Sequence, residues 1–431
     1  MVQIVLDIDL VRNDPDVVRK DLEKRGDTDG LRLLGELIRR DDQWRKLKQQ
    51  ANEFRRRRNQ ISREIGRGRD KESTAAREKI DEAERLGGDI ERLEQKIGVL
   101  ASDIRTDLLR IPNLLHESVP IGRDDTENVE ISRWGIPKKI DWELKPHGDL
   151  IEHLRIGDFK RAAKVSGAGF CYLLDRLVLL DLALVHYTLD FLVRRGYTLV
   201  ETPMMMRRKP YEGVVDLSDF ETMMYKAEGE DLYLIATSEH PIAAMYMNEI
   251  IDEGILPLKY AGVSTCFRKE IGAHGVDTKG LFRTHQFNKV EQFVFARPEE
   301  SWTVHEELIH NAEDIFRELE IPYRVVNVCT GDIGTVAAKK YDLEAWSPRG
   351  GIYREVVSCS NCTDYQARRL NIRCGKVGGK KRMVHTLNST AMATSRGLVA
   401  ILENYQRKDG SVEIPAVLRP YTGFDVIERS A

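Results

Sequence analysis

The stretch CFRKEIGAHGVDTKGLFRTHQFNKVEQFVF, residues 266–295, decides the fold of this chain. Its two ends are rich in strand-forming residues, and the charged segment between them contains three glycines. The stretch therefore predicts two strands joined by a loop. Arg268 lies on the outgoing strand, and Phe287 and Glu291 lie on the returning one. We expect these three side chains to face one cleft.

The residue types in this cleft indicate a nucleotide bound beside an amine. Arg268 suits a phosphate, Phe287 the face of a base and Glu291 an ammonium group. A second arginine, Arg396, follows the segment 388–390, which we interpret as a polar turn at the start of a helix. A single arginine more often forms only a surface ion pair. However, the chain has no G-x-x-x-x-G-K-[ST] loop, the glycine-rich segment that would otherwise bind the phosphates of ATP. Arginines and a metal would then hold ATP, which predicts an enzyme that activates an amino acid.

Two other strand ends carry polar groups. Thr237-Ser238-Glu239-His240 follows a predicted strand over 232–236 and precedes a predicted helix over 239–252. Its hydroxyls suit a helix cap, a role that could coexist with a contact to the substrate. Glu355 and Ser358 end another strand, where they could share Mg²⁺ with ATP phosphates or simply face solvent.

The bulk composition indicates a soluble enzyme-sized chain. It has 431 residues, 32% of them charged, with a net charge of −3. The first residues lack a signal peptide and no apolar run is long enough to span a bilayer, so we expect a cytoplasmic protein and no membrane partner. The six cysteines form no disulfide framework. Cys359-x-x-Cys362, with Cys374 and His385 downstream, lacks a second matched pair, so no structural zinc is expected.

Residues 31 to about 110 predict a helical hairpin. Apolar residues recur at heptad spacing in two series, separated by a break at residues 66–70. The first series contains Leu37, Trp44, Leu47, Ala51, Phe54, Ile61 and Ile65, and the second Ala83, Leu86, Ile90, Leu93, Ile97, Leu100 and Ile104. We therefore expect two long antiparallel helices that form a projecting coiled-coil arm.

The first helix of this arm is basic. Residues 31–70 contain 13 Lys/Arg and 6 Asp/Glu, a net of +7, whereas residues 71–110 contain 8 and 10, a net of −2. Arg55, Arg56, Arg57 and Arg58 concentrate the positive charge. A solvated coiled-coil face and a surface for an RNA phosphate backbone explain these charges equally well.

The rest of the chain predicts a connecting segment and a catalytic domain. Residues 112–170 contain scattered prolines, and we interpret them as the connection after an N-terminal domain of residues 1–111. From 171 to 431 strands arrive in pairs between helices, which favours a largely antiparallel sheet with flanking helices. The predicted class is α+β, with helices at 173–195, 301–319 and 390–406 and strands at 259–267, 286–295, 323–329 and 352–358.

Several motifs carry a family resemblance. The segment ending at Pro203, residues 267–291 and residues 388–396 resemble motifs 1, 2 and 3 of class II aminoacyl-tRNA synthetases. Residues 6–15 and the helical hairpin resemble the opening and the tRNA-binding arm of the seryl-tRNA synthetases, and the resemblance to that family covers nearly the whole chain. Thr237-Ser-Glu-His240 and Asn388-Ser-Thr-Ala391 depart from the common bacterial pattern and resemble archaeal members.

The resemblance implies a role for each matching residue. Arg268 would contact the α-phosphate of ATP, Arg396 the γ-phosphate and Phe287 the adenine, while Glu355 and Ser358 would organise Mg²⁺. Arg268, Arg396 and Glu355 are the catalytic candidates. The ATP-binding set is Arg268, Lys269, Glu270, Thr284, Phe287, Glu355, Val356, Val357, Ser358 and Arg396. The serine-binding set is Thr237, Ser238, Glu239, Arg268, Glu291, Asn388 and Thr390, and the tRNA-binding set is Arg55 to Arg58.

The implied activity is ATP-dependent ligation of L-serine to tRNA(Ser), extending to tRNA(Sec), by a homodimer built on motif 1. Two alternatives stay open at this point. One is a paralogue that activates a small amino acid and loads it onto a carrier protein. The other is a catalytically inactive regulator that binds RNA through its arm.

Overall fold

The computed structural model describes residues 8–67, 74–215, 223–270, 280–376 and 378–429. The chain divides into two compact units, Met1–Pro112 and Asn113–Ala431. Among the described residues, no helix is both long enough and apolar enough to cross a bilayer.

The first unit is helical. Its elements are α1 (Ile8–Asn13), α2 (Pro15–Arg25), α3 (Thr28–Arg67) and α4 (Thr74–Arg110). Gly26 ends α2 in the left-handed conformation, with φ of 65°, which glycine adopts without the steric cost of a side chain.

The two long helices form the predicted hairpin. Ion pairs join Arg40 to Asp107, Arg57 to Glu82 and Glu64 to Lys79. The residue numbers increase along α3 while those of the partners on α4 decrease, so the two helices are antiparallel. The heptad positions meet in the seam, where Leu37, Ala51, Ile61, Ile90, Ile97 and Ile104 are buried. The expected tip lies partly outside the described residues, because the structure describes nothing between 67 and 74.

The second unit is built on a large sheet. Within the described residues, eight strands pair in the order β1 (Val129–Trp134), β10 (Tyr323–Asn327), β11 (Lys339–Ser347), β12 (Ile352–Asn361), β15 (His385–Ala393), β9 (Gln286–Ala296), β8 (Leu258–Phe267) and β4 (Thr198–Glu201). All pairs are antiparallel except β4 with β8. The prediction of a largely antiparallel sheet is confirmed.

Helices cover the sheet, and shorter elements surround it. The long helices that pack on the sheet are α7 (Arg176–Arg194), α10 (Ser301–Glu318) and α12 (Thr394–Asn404). The shorter helices are α5 (His147–Leu154), α6 (Phe159–Ser166), α8 (Arg208–Glu212), α9 (Glu239–Ala244), α11 (Tyr365–Leu370) and α13 (Arg419–Thr422). The short strands are β2 (Gly157–Asp158), β3 (Tyr172–Leu173), β5 (Met205–Met206), β6 (Tyr233–Leu234), β7 (Ile250–Asp252), β13 (Arg373–Gly375), β14 (Arg382–Met383), β16 (Val412–Glu413) and β17 (Val426–Ile427).

Three elements differ from the sequence prediction. Residues 388–390 lie inside β15 rather than in a turn, so the interpretation of a polar turn before Arg396 is wrong. The helix predicted over 239–252 ends at Ala244, and residues 250–252 form a strand instead. Residues 129–134, which we predicted as part of a connecting segment with short strands or turns, form the edge strand of the main sheet.

Candidate active site

A cavity of ≈ 430 Å³ opens on one face of the sheet. Side chains of a strand alternate between faces, so Phe287, Lys289 and Glu291 of β9 all line this cavity. Val290 and Val294, on the opposite face of β9, pack instead into the core beneath the helices. One face of β9 thus packs into this core, and the other lines the cavity as far as Glu291 and then enters a second buried cluster at Phe293 and Phe295.

Pairing between neighbouring strands brings further side chains to the cavity. Thr390 of β15 stands opposite Glu291 of β9, and its Oγ1 donates to Glu291 Oε2 at 3.4 Å. Asn388 stands opposite Ser360 of β12. Residues almost a hundred positions apart are therefore brought side by side by antiparallel pairing.

Two carboxyl groups, those of Glu239 and Glu291, line one part of the cavity. Asn388 Nδ2 and Gln366 Nε2 each donate to Glu239 Oε1 at 3.1 Å. Burial and the nearby Glu291 carboxylate raise the pKa of Glu239 to about 7, while Lys289 acts in the opposite direction. Burial also raises the pKa of Glu291, although Lys289 forms an ion pair with it. The Lys289 ammonium and the Arg268 guanidinium both act to lower the pKa of these two carboxyl groups, so this part of the cavity holds charges of both signs.

Two arginines, Arg268 and Arg396, also line the cavity. The guanidinium carbon of Arg268 lies 5.4 Å from the centre of the Phe287 ring, and Arg268 Nε donates to the Ala236 carbonyl at 3.4 Å. Arg396 Nη1 donates to Glu355 Oε1 at 2.9 Å. An aromatic ring and two guanidinium groups that line one cavity are an arrangement that suits a base and its phosphates.

The acidic residues beside Arg396 are a second electrostatic feature. Burial disfavours ionisation of Glu355, but Arg396 and Lys340 outweigh it and lower the net pKa of its carboxyl. Asp342 stands opposite Ser358 in the register. Burial, opposed by Lys340 and reinforced by Glu355, raises the pKa of Asp342 to about 7. Within the described residues, Asp342 Oδ1 has no hydrogen-bond partner.

The structure places most of the predicted site residues on this one cavity. Those that line it are Thr237, Glu239, Arg268, Glu270, Thr284, Phe287, Glu291, Glu355, Val356, Ser358, Asn388, Thr390 and Arg396. Three others are not among the residues that line it. Ser238 is buried and its Oγ donates to the Gly262 carbonyl at 3.2 Å, Val357 lies in the core, and the Lys269 N–H donates to the Met223 carbonyl.

Comparison with known proteins identifies the family. A family model for the "Seryl-tRNA synthetase N-terminal domain" matches residues 5–115, and one for the "tRNA synthetase class II core domain (G, H, P, S and T)" matches residues 220–405. A serine–tRNA ligase of Methanocella arvoryzae is 58% identical over 97% of this chain and 98% of its own length. The chain belongs to the seryl-tRNA synthetase family.

Solved structures of the seryl-tRNA synthetase family agree with this assignment. The Pyrococcus horikoshii enzyme complexed with ATP has a TM-score of 0.95 and 51% identity, and covers 99% of this chain and 100% of that one. The cytoplasmic Naegleria fowleri enzyme in complex with AMP has a TM-score of 0.89 and 39% identity, with 99% of both chains covered. The predicted family and class II fold are confirmed.

Sequence reasoning missed several residues that line the cavity. Lys289, Arg283, Phe282 and Cys362 all line it. The signal for Lys289 was available, because it lies two residues before Glu291 on the same strand and therefore shares its face. Cys362 accepts a hydrogen bond from Asn388 Nδ2 at 3.6 Å, an interaction that only the tertiary register reveals.

The cysteines themselves are reduced in this structure. All six are free, and five of them are buried. Across the described ranges, no cluster of three or more His, Cys, Asp or Glu side chains has the arrangement of a metal site. Burial raises the pKa of the Cys362 thiol well above its usual value, so this cysteine contributes no charge to the cavity.

The four arginines of the arm do not share one environment. Arg55 is ion-paired with Glu94, and Arg57 Nε contacts Glu82 Oε1 at 2.9 Å, both across the hairpin. Arg56 is exposed, as Arg57 is, but it lines shallow grooves together with other long polar side chains of α3. We call the exposed basic residues that line these grooves the α3 stripe: Arg45, Lys48, Arg56, Arg63 and Arg67.

Proposed function

We propose that the chain is a serine–tRNA ligase that activates L-serine with ATP and transfers it to tRNA(Ser), with tRNA(Sec) as a further acceptor. The observation that carries the proposal is that one cavity is lined by Arg268 and Arg396 together with Glu239 and Glu291. Relatives more than 50% identical over nearly the whole chain bear the name serine–tRNA ligase.

The proposed reaction has two steps. A carboxylate oxygen of serine attacks the α-phosphorus of ATP, the bond to the bridging oxygen breaks, and pyrophosphate leaves. The 3′-terminal ribose hydroxyl of the tRNA then attacks the carbonyl carbon of seryl-adenylate, and AMP leaves as the hydroxyl proton is lost. The protein contributes orientation and charge neutralisation by Arg268 and Arg396.

The acidic residues near Arg396 fit a magnesium ion. Glu355 and Ser358 offer carboxylate and hydroxyl oxygens, the hard ligands that Mg²⁺ prefers together with phosphate oxygens. The unpartnered Oδ1 of buried Asp342 lies on the neighbouring strand, opposite Ser358. When bound with ATP, Mg²⁺ would offset the negative charge of the phosphates. The proposal includes no zinc.

The part of the cavity with the two carboxyl groups would receive serine. Glu239 and Glu291 complement its ammonium group, and Thr237, Asn388 and Thr390 supply neutral polar groups around its hydroxyl. Alanine would leave buried polar groups without partners, which costs more than the removal of a small apolar group. Threonine differs by one methyl group and is the closest competitor.

Three further elements of the proposal rest on other parts of the chain. We assign tRNA binding to residues 1–111, with the arm as its main surface, and catalysis to residues 171–431. The homodimer is supported by large apolar side chains that are exposed between 172 and 205: Tyr172, Leu174, Leu179, Leu182, Val193, Leu199, Met204 and Met205. A cytoplasmic location is part of the same proposal.

Amino-acid-dependent exchange of pyrophosphate into ATP tests the activation step. With serine, threonine, alanine and glycine supplied separately, serine should give the highest kcat/KM by far. A chain that prefers alanine or glycine would be the carrier-loading paralogue, and a chain inactive with all four would be the RNA-binding regulator. The basic arm disfavours the first alternative, and the intact cavity disfavours the second.

A further inference from the structure

Gln366 is a buried polar residue next to the cavity. It lies in α11 (Tyr365–Leu370), has no solvent exposure, and is not among the residues that line the cavity. A buried amide must satisfy its hydrogen-bonding groups inside the protein. Those partners show what the residue is placed to do.

Both the oxygen and the nitrogen of the Gln366 side-chain amide have hydrogen-bond partners inside the protein. Its Oε1 accepts from Thr386 Oγ1 at 2.7 Å, and its Nε2 donates to Glu239 Oε1 at 3.1 Å and to the Val214 carbonyl at 3.2 Å. Because Thr386 occupies the amide oxygen, a flipped amide would lose that bond and set an oxygen against the Glu239 carboxylate. The N–H groups therefore stay directed at Glu239.

The groups around Glu239 determine whether its carboxyl group is ionised near neutral pH. Within the described residues, the donors to this carboxylate are Gln366 and Asn388, and both reach Oε1. The pKa of Glu239 is raised to about 7, so the removal of one donor changes its ionisation in the physiological range. The titratable groups that face it are Glu291 and Lys289 of β9, Arg268 at the end of β8, Tyr211 of α8 and the Cys362 thiol.

We propose that Gln366 is a positioning residue that orients the Glu239 carboxylate toward the amino-acid substrate and thereby sets the affinity for serine. The inference rests on the proposed function, because serine is the ligand assigned to this part of the cavity. The Gln366 side chain bonds two residues that line the cavity, Glu239 and Val214. Its second N–H holds the carbonyl of Val214, which also lines the cavity.

The role has a pH signature. A donor to a carboxylate favours the charged form, so removal of the Gln366 N–H raises the pKa of Glu239 further. The carboxylate is then populated only at higher pH. The acidic limb of kcat/KM for serine should therefore move to higher pH, while the KM for ATP stays near the wild-type value.

Serine-dependent pyrophosphate exchange between pH 6 and 9 tests this with the full-length chain. Gln366→Met should raise the KM for serine about 10- to 100-fold, the range for removal of a hydrogen bond to a charged group, with a smaller change in kcat. Gln406→Met is the matched control. Gln406 is also buried and bonds the backbone of Lys145 in both directions, and its replacement should leave the serine KM and the acidic limb in place.

A second variant decides the case if Gln366→Met fails to fold, as judged by circular dichroism. Gln366→Glu keeps the size and the acceptor for Thr386 but sets a carboxylate beside Glu239, so the KM for serine at pH 8 should rise by at least the same factor. Wild-type KM and pH profile in the folded variants would overturn the positioning role alone. A wild-type chain without serine-dependent exchange would refute the proposed function itself, and the inference with it.

Discussion

At the residue scale, Arg268 carries the largest predicted effect on chemistry. Arg268→Ala should lower kcat for serine-dependent pyrophosphate exchange by about 10²–10³, the usual decrease for one donor to a developing charge. Its guanidinium lies beside Phe287 and within the cavity, so the fold has little reason to change. Arg133→Ala is the control, because Arg133 forms an exposed ion pair with Glu130. Near-normal exchange by Arg268→Ala would remove the phosphate role.

Asp342 gives a prediction about stability and pH. Its pKa is about 7 in the folded chain, against an ordinary value near 3.9 in the unfolded one. The folded state therefore binds one more proton between these values, and the free energy of unfolding falls as the pH rises through that window. Above pH 7 the full cost of the buried charge is present.

Asp342→Asn removes that cost. The variant should be more stable than the wild type by about 1–3 kcal/mol at pH 8, with a much smaller gain at pH 5. Thermal unfolding at the two pH values measures the difference. An equal change in Tm at both would show that Asp342 is not the group that titrates.

Sequence reasoning at this scale located the residues that belong to contiguous motifs. Arg268, Phe287 and Glu291 could be placed on one cleft because strand alternation fixes the direction of side chains. Gln366 and Asp342 could not be found in the same way. Their roles depend on which strand or helix lies next to Glu239 and Ser358, and that is decided by tertiary pairing.

At the element scale, the arm gives a sharper prediction than its arginine count. Arg56 and Arg63 belong to the α3 stripe, whereas Arg57 is engaged by Glu82. The double change Arg56→Gln and Arg63→Gln should weaken tRNA binding and reduce the slope of log affinity against log salt by about two, one unit for each phosphate that no longer has an arginine beside it.

Arg57→Gln is the matched control for the α3 stripe. It removes the same charge from the same helix, yet it should leave the salt slope nearly unchanged, because Arg57 is already paired across the hairpin. Filter binding at several salt concentrations measures both variants, with serine-dependent exchange as the check on folding. Equal weakening per arginine in the two variants would mean that RNA binding follows net charge rather than the α3 stripe.

Helices with a strong hydrophobic repeat could be predicted from the sequence, whereas a strand that is followed by a helix without an intervening turn could not. The heptads of α3 and α4 fixed the hairpin, because every seventh residue repeats the same face. The segment 385–404 was harder, since β15 runs directly into α12 at Thr394 without an intervening turn. Its polar residues resembled a helix start, although they lie in a strand whose side chains line the cavity.

At the scale of the whole molecule, the exposed apolar side chains between 172 and 205 predict self-association. Leu182 is 54% exposed and Leu179 is 46% exposed on α7, and a dimer interface that includes this helix would bury both. The double change Leu179→Lys and Leu182→Lys should shift the molecule from dimer to monomer. Analytical ultracentrifugation over a range of concentrations measures the shift, and a wild-type chain that sediments as a monomer would contradict the proposed homodimer.

The most direct test of the central claim is the transfer of radiolabelled serine to tRNA. With ATP, Mg²⁺ and unfractionated tRNA, the wild-type chain should accumulate acid-precipitable, base-labile serine on tRNA, and omission of ATP should abolish it. The account predicts this charging together with serine-dependent exchange. Exchange without any charged tRNA, or no incorporation at all, would contradict it.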